Sequence, residues 1–370
     1  MTDAAMLEAE IVVARRDFDV AAELSIARGE RLSLFGPSGA GKTTCLEAIA
    51  GVAPLRQGRV RLDGRLLNAP AGRQSGRRMS REQPAPARER SIAFVRQPTT
   101  LFPHLSVRAN VTYAMGKATL SRSRSLDELL QEVGLAGLSG AMPEALSGGQ
   151  QQRACLARAV ARPFKALLLD EPFSAVDAAG REALRVVAIE TAAEAGAAAV
   201  LVTHDLAEAQ AFGHRLGIMD GGRLLQVGSS GELVRRPATL RVAELCGYVS
   251  FVRLASGRFW ALHPDRFLEG ALPDRGVVLT GTVHSIQPFG PRYDCELVLS
   301  GADAIGTGIV RIHVDSPPRL GEPWEVTAID PPLVGPLPSA GQPSPGRCRE
   351  NPGANDDTGR TSQVTSGFGR

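Results

Sequence analysis

Over the first 240 residues, apolar positions follow two alternating patterns. Residues 30–35 (ERLSLF), Ala166–Leu169 and Ala198–Val202 are short, nearly unbroken apolar runs that read as strands buried on both faces. Stretches with helical spacing lie between and around them: Lys42–Ala50, ended by Gly51; Ser125–Val133; Gln150–Val160; Ala183–Ala195, ended by Gly196; and Asp205–Phe212. Arg59–Leu62 and Gly64–Leu67 predict a hairpin around Asp63-Gly64, and Leu216–Met219 pairs with Arg223–Val227 around Asp220-Gly221-Gly222. Ser91–Val95 is a further strand, and residues 98–160 are mostly helical. Strand–helix alternation with apolar strands predicts an α/β domain on a parallel core sheet over residues 1–240, with a helical subdomain at about 98–160.

Near residue 248 the pattern shortens to period two. Arg258–Leu262, Val277–Val283, Tyr293–Leu299, Gly308–Val314 and Trp324–Ile329 alternate between Gly and Pro punctuation. This predicts a small all-β barrel over 248–334. Residues 335–370 hold seven Gly and five Pro among 36 and few large apolar residues, the composition of a disordered tail. The sequence contains no internal repeat.

Composition narrows the class. The 370 residues suffice for two or three domains, and 43% hydrophobic with 22% charged residues is ordinary for a soluble globular chain. No apolar run approaches the roughly 18–20 residues that span a bilayer. Asp3, Glu8 and Glu10 stand where a secretory signal needs positive charge. The five cysteines (Cys45, Cys155, Cys246, Cys295, Cys348) have no ligand spacing, which predicts reduced thiols in a cytosol. The net charge is +3, yet residues 71–90, with six Arg and two Glu, carry +4 and leave −1 for the rest. A basic excess confined to one solvated loop argues against a nucleic-acid partner. The lysines are Lys42, Lys117 and Lys165, and the first of them stands in the most informative motif.

Gly36-Pro37-Ser38-Gly39-Ala40-Gly41-Lys42-Thr43-Thr44 follows a predicted strand and opens a predicted helix. Its glycines let backbone N–H groups converge on phosphate. The helix start adds its dipole, Lys42 reaches the outer phosphates, and Thr43 offers a hydroxyl to Mg²⁺. A tight strand–helix turn is the blander reading. Residues 166–171 form an apolar strand ending in Asp170 and Glu171. Asp170 suits a Mg²⁺ contact and Glu171 can polarise a water, although many strands simply end in a solvated acid. Leu146-Ser147-Gly148-Gly149-Gln150 opens a second helix, where Ser147 can cap and the glycines expose N–H groups. An ordinary capped helix is the alternative there.

Phosphate loop, Gln97 after a strand, LSGGQ at 146–150, LLLDEP at 167–172, Ser174-Ala175-Val176-Asp177 and Thr203-His204-Asp205, in this order, resemble the ATP-binding-cassette ATPases. The resemblance implies that Gly36–Thr44 binds ATP and that Gln97 contacts Mg²⁺ and the attacking water while relaying to a membrane partner. Ser147, Gly148, Gly149 and Gln150 would face the γ-phosphate held by a second copy, in a head-to-tail nucleotide-sandwich homodimer, with Asp177 crossing the interface. Glu171 would activate the water and His204 would bond the γ-phosphate. Metal contacts would come from Thr43, Gln97 and Asp170. Ala14 stands where the family usually places an aromatic against adenine; Arg15, Arg16 and Phe18 are the neighbouring candidates, and Phe18 reads equally as a core strand residue.

Several segments resemble the importer branch. Leu101–Val107 with Asn110 looks like a surface for a permease's cytoplasmic helix, and residues 260–265 (WALHPD) resemble the turn that opens a TOBE/OB-like regulatory module. Residues 61–68 and 96–104 are most similar to molybdate-importer ATPases. The expectation is therefore an ATPase subunit for molybdate or tungstate uptake. It would be peripheral on the cytoplasmic face of the membrane, with permease subunits and, indirectly, a substrate-binding protein as partners. Sulfate, ferric iron, polyamine and sugar importers are the alternatives. A non-transport cassette ATPase acting on nucleic acid or ribosomes is the reading from another class; it lacks both the long coiled-coil insertion and the second cassette such proteins carry.

Overall fold

A computed structural model describes residues 5–70, 84–86, 89–98, 100–115, 125–254, 258–300 and 309–334. Most of the basic stretch 71–90, the tail 335–370 and Cys348 lie outside them.

The chain opens with two strands to which the sequence pattern had assigned no element, β1 (Ala5–Ala14) and β2 (Asp19–Ala27), paired antiparallel. Leu7, Ala9, Ile11 and Val13 point inward, and Glu8 and Glu10 outward. Then come β3 (Arg31–Phe35), α1 (Lys42–Ala50), the hairpin β4 (Gln57–Leu62) and β5 (Arg65–Asn68), and β6 (Ile92–Val95). A helical block follows: α2 (Val107–Met115), α3 (Leu126–Glu132) and α4 (Gly148–Val160). The remainder alternates: β7 (Ala166–Asp170), α5 (Ala178–Glu194), β8 (Ala198–Thr203), α6 (Leu206–Phe212), β9 (Arg215–Asp220), β10 (Arg223–Gly228), α7 (Ser230–Arg235) and α8 (Leu240–Leu245).

The ten strands form one sheet in the order β5-β4-β1-β2-β10-β9-β3-β8-β7-β6. Only half of it is the expected parallel sheet: β9, β3, β8, β7 and β6 run parallel. The β1, β2, β4, β5 side is antiparallel. The cause is connection length. A four-residue turn can join β1 to β2 only as a hairpin, whereas helices carry the chain across from β6 to β7, from β7 to β8 and from β8 to β9. Alternate residues of the parallel strands feed two cores. Leu168 and Val200 pack with Leu46 and Ile49 of α1. Leu167, Leu169 and Leu201 pack on the opposite face with Val111, Leu130, Leu156 and Leu184 of α2 to α5.

Beyond α8 the described residues are all β, as the pattern predicted, but they form two open sheets rather than the single barrel expected, because β18 (Leu333–Val334) returns to pair with β12 (Phe259–Leu262) instead of closing the larger sheet. β11 (Ser250–Arg253), β12 (Phe259–Leu262) and the last strand, β18 (Leu333–Val334), form a three-stranded sheet. A five-stranded sheet contains β13 (Phe267–Glu269), β14 (Val277–Phe289), β15 (Arg292–Leu299), β16 (Ile309–Val314) and β17 (Pro323–Ala328). Val252 and Leu262 of the first sheet share one core with Leu279, Leu297, Ile312 and Val326 of the second. Tyr248, Ala261 and Val334 pack with Phe35, Leu216 and Ile218, so an apolar cluster joins the β region to the large sheet. Cys45, Cys155, Cys246 and Cys295 are free and buried, and burial pushes the Cys45 thiol up to about 12 and the Cys246 thiol to about 11.

Candidate nucleotide site

The predicted loop lies between β3 and α1, at the carboxyl edge of the parallel strands, where open α/β sheets bind ligands. Two of its glycines are required by close approach. A Cβ on Gly36 would stand 2.0 Å from the Met219 carbonyl oxygen, and one on Gly41 2.8 Å from Val20, with Gly41 at φ 95°. Gly41 is the N-cap of α1 and supplies no side-chain cap, and the first turn holds no acid. Lys42 is buried, and its Nζ donates to the carbonyls of Gly36 (2.8 Å) and Pro37 (2.9 Å). Burial pushes the Lys42 ammonium pKa down, and the carboxylates of Glu171 and Asp170 pull it back up.

The two acids end β7, as expected. Thr43 Oγ1 donates to Asp170 Oδ1 at 2.9 Å, so the loop and β7 already meet. Burial raises the Asp170 carboxyl, the Thr43 hydrogen bond opposes that rise, and the charges of Glu171 and Glu47 add to it. Glu171 adopts φ 44°, the left-handed region that costs a non-glycine residue on the order of 1–3 kcal/mol. Its N–H donates to the Val202 carbonyl at 3.0 Å and its carbonyl accepts from Ser174, which together hold the turn. Thus held, Glu171 Oε1 lies 3.2 Å from Nδ1 of His204, just past β8.

Lys42, Thr43 and Glu171 border a cavity of about 450 Å³ whose walls also include Arg15 and Phe18; Asp170 and His204 stand behind Thr43 and Glu171 as their hydrogen-bond partners. Arg15 to Phe18 form the β1–β2 turn, immediately after Ala14. Phe18 is therefore not a core strand residue: it is 38% exposed and lies against Gly222, where a Cβ would come within 2.5 Å of its ring. Sequence reasoning also missed the contact of Arg15 with Thr44, whose hydroxyl accepts from Nε and Nη2 at 2.8 and 2.5 Å.

Other predicted residues lie outside this cavity. Gln97 is exposed, two residues past β6. α4 starts at Gly148, two residues before the expected Gln150, and is capped, as expected, by Ser147. Its Oγ accepts from the Gln150 N–H at 3.3 Å, and Gln150 Oε1 accepts from the Ser147 N–H at 2.9 Å. Gly149 presses on Ala175, where a Cβ would lie 2.8 Å from the carbonyl oxygen. Gln152 ties the same segment down through Ser174 and the Ala175 N–H. Exposed Asp177 caps α5 by accepting from the Gly180 N–H at 2.7 Å. In the expected partner surface, buried Asn110 bonds the backbone of Phe102, Leu105 and Ser106. Phe102 meets the exposed ring of Tyr113 edge-on at 4.7 Å.

Among the described residues, no three His, Cys, Asp or Glu side chains gather as a metal site. The hard oxygens of Thr43 and Asp170 beside a phosphate-sized cradle do fit Mg²⁺, which typically takes one or two protein oxygens and completes its shell with phosphate and water. Among the described residues, no helix is long and apolar enough to cross a membrane.

Residues 21–174 match the ABC transporter family. The chain is 41% identical over 225 residues to an Fe(3+) ions import ATP-binding protein, FbpC, of Pseudomonas fluorescens, which covers 60% of each chain. It is 38% identical over 240 residues to the protein of the same name from Serratia marcescens, covering 65% of this chain and 66% of that one. The chain thus spans roughly three fifths to two thirds of the length of these relatives. Two solved structures share the fold. An ATP-binding cassette, dimeric in a post-hydrolysis state with ADP and Pi, aligns at TM-score 0.50 and 26% identity over 60% of this chain and 98% of its own. The ATP-binding subunit of an ABC transporter aligns at TM-score 0.53 and 25% identity over 65% and 99%. With its phosphate loop and the two acids that end β7, the segment 21–174 is an ABC transporter ATP-binding domain.

Proposed function

We propose that this protein is the ATP-hydrolysing subunit of an importer, peripheral on the cytoplasmic face of the membrane. The observation that carries the reading is the convergence of Lys42, the Thr43–Asp170 pair and the Glu171–His204 pair on one end of the parallel strands. The loop N–H groups and Lys42 hold the phosphate tail. Thr43 and Asp170 would hold Mg²⁺, which when bound neutralises phosphate charge. Glu171 accepts the proton of the attacking water, with its carboxylate oriented by the strained backbone and by His204. Phosphoryl transfer of this kind needs positioning and charge neutralisation more than covalent chemistry. Phe18 is the aromatic available to adenine, since Ala14 is not.

Ser147, Gly149 and Gln150 lie outside the cavity of their own copy, and Gln97 and Asp177 are likewise solvent-facing. That supports a head-to-tail pair in which each copy closes over the other's nucleotide. The solved dimeric cassette with ADP and Pi is consistent with this arrangement. The Phe102–Tyr113 surface is the one offered to a permease, and residues 248–334 are a TOBE-like regulatory unit. For the solute we read ferric iron, because the named relatives are ferric-iron import proteins. The molybdate or tungstate expectation finds no support among those names.

Glu171→Gln tests the engine. It should retain ATP binding, accumulate an ATP-bound dimer in solution, and lower hydrolysis by roughly 10²–10⁴-fold, the usual contribution of a general base. Turnover within about twofold of wild type would remove Glu171 from the role. Reconstitution with the co-purifying permease, with binding protein loaded with ferric iron, molybdate or sulfate in separate arms, identifies the solute by which arm stimulates ATPase activity.

A further inference from the structure

Arg15 belongs to no recognisable motif, yet its guanidinium is fixed on the first turn of α1. Nε and Nη2 both donate to Thr44 Oγ1, at 2.8 and 2.5 Å. Nη2 also stands 3.9 Å from Oε2 of Glu47, whose Oε1 accepts from Arg96 at 2.7 Å. Thr44 is almost fully buried and Glu47 is 17% exposed, so both anchors belong to the body of the helix. The guanidinium itself is half exposed and forms part of the cavity wall. A guanidinium has five N–H donors in a rigid fork, and two bonds to one hydroxyl leave several free for another acceptor.

A nucleoside triphosphate entering with its outer phosphates at Lys42 runs outward along the N–H groups of α1's first turn. Thr44 is the third residue of that helix, and the Arg15 guanidinium lies against its side chain. Three residues further along the same turn, Phe18 forms another part of the wall. The group that passes Arg15 is thus the phosphate joining tail to ribose. We infer that Arg15 is a nucleotide-positioning residue that clamps the α-phosphate, its guanidinium pre-oriented by Thr44 and Glu47. This rests on the ATP-binding reading above. Guanidinium suits the task because it stays charged at every relevant pH and its planar fork matches two phosphate oxygens. The acids Asp17 and Glu171 border the same cavity, so the site needs cations beyond Lys42 to favour a polyanion.

Calorimetric titration of the full chain with ATP, ADP and inorganic tripolyphosphate tests the clamp. Tripolyphosphate has no ribose or base but still fills the place of the α-phosphate. Arg15→Ala should weaken all three by roughly tenfold, the scale of one charge-assisted bond in a half-exposed position. Arg15→Lys should recover part of that loss, whereas Arg15→Gln, which keeps a donor for Thr44 but no charge, should recover little. If ATP and ADP weaken while tripolyphosphate does not, Arg15 contacts the base or ribose and the clamp is wrong. Full recovery by Arg15→Gln would make it only a strut for α1, again against the proposal. Lys42→Ala in parallel separates the two readings: if that variant binds tripolyphosphate as tightly as wild type, the phosphate-loop reading falls and the clamp falls with it.

Discussion

Two helix starts in this protein do opposite things with the same physics. α1 begins at Gly41 without a side-chain cap, and α4 begins at Ser147 inside a capping box closed by Gln150. Every helix leaves its first N–H groups without intrahelical partners. At α4 the chain supplies an acceptor itself. At α1 it supplies none from the cap, keeps acids out of the first turn, and folds Lys42 beneath the loop. A helix start that lacks its own cap and carries a buried cation favours an external polyanion. A start that already satisfies itself engages a phosphate only at its exposed rim. The two motifs look alike as glycine-rich turns, and it is their caps that differ; on the proposed reading, the uncapped start serves its own copy and the capped one a second copy.

Lys42 is where the comparison breaks most visibly. Among the described residues its ammonium bonds only backbone carbonyls of the loop, and it is near two carboxylates. Lys42→Ala should therefore lower ATP affinity by about 100-fold, equivalent to about 2.7 kcal/mol, and abolish ATP-dependent dimerisation. Equilibrium dialysis with labelled nucleotide reads the first effect and light scattering the second. An unchanged affinity would mean that the uncapped start of α1 is an ordinary strand–helix turn.

Asp170 gives a second, pH-dependent contrast, because α4 has no comparable buried acid at its start. Burial raises the Asp170 carboxyl, so its ionised form costs folding stability. Below the unfolded pKa of about 3.9 both states hold the proton and the cost is absent. It grows as pH rises from there to the raised folded pKa, then stays constant. Asp170→Asn keeps an acceptor for Thr43 and should raise the denaturant midpoint of the nucleotide-free protein at pH 7, with the gain shrinking toward pH 4. An equal gain at both pH values would show that the carboxylate's charge is not what costs the nucleotide-free protein its stability.

How much of this the sequence displayed depends on whether a feature is local. The phosphate loop and the β7 acids were legible because their chemistry forces residue types into contiguous runs. The capping box was half legible: Ser147 was expected to cap, but the return bond from Gln150 follows from the Ser-x-x-Gln spacing alone and was missed. β1 and β2 escaped because Ala occupies many of their positions and blurs the apolar–polar alternation. The left-handed turn at Glu171, the Arg15–Thr44 contact 29 residues apart, and the outward turn of Phe18 are tertiary facts. The short strands β11, β13 and β18 carry too few residues for a period to emerge.

The smallest effect sharpens the comparison furthest, because this fold carries its own control. The same capping box closes three helices: Ser125 with Glu128, Ser147 with Gln150, and Ser229 with Glu232. As caps the three serines are equivalent, so each Ser→Ala change should cost about 1 kcal/mol of folding stability, read as a shift in denaturant midpoint. As a phosphate contact only Ser147 counts. Ser147→Ala should lower ATP hydrolysis at protein concentrations where pairs form, while Ser125→Ala and Ser229→Ala at matched stability should not. If all three lower hydrolysis in proportion to the stability they lose, the start of α4 is a cap and nothing more, and the second anion site would have to be found on another surface.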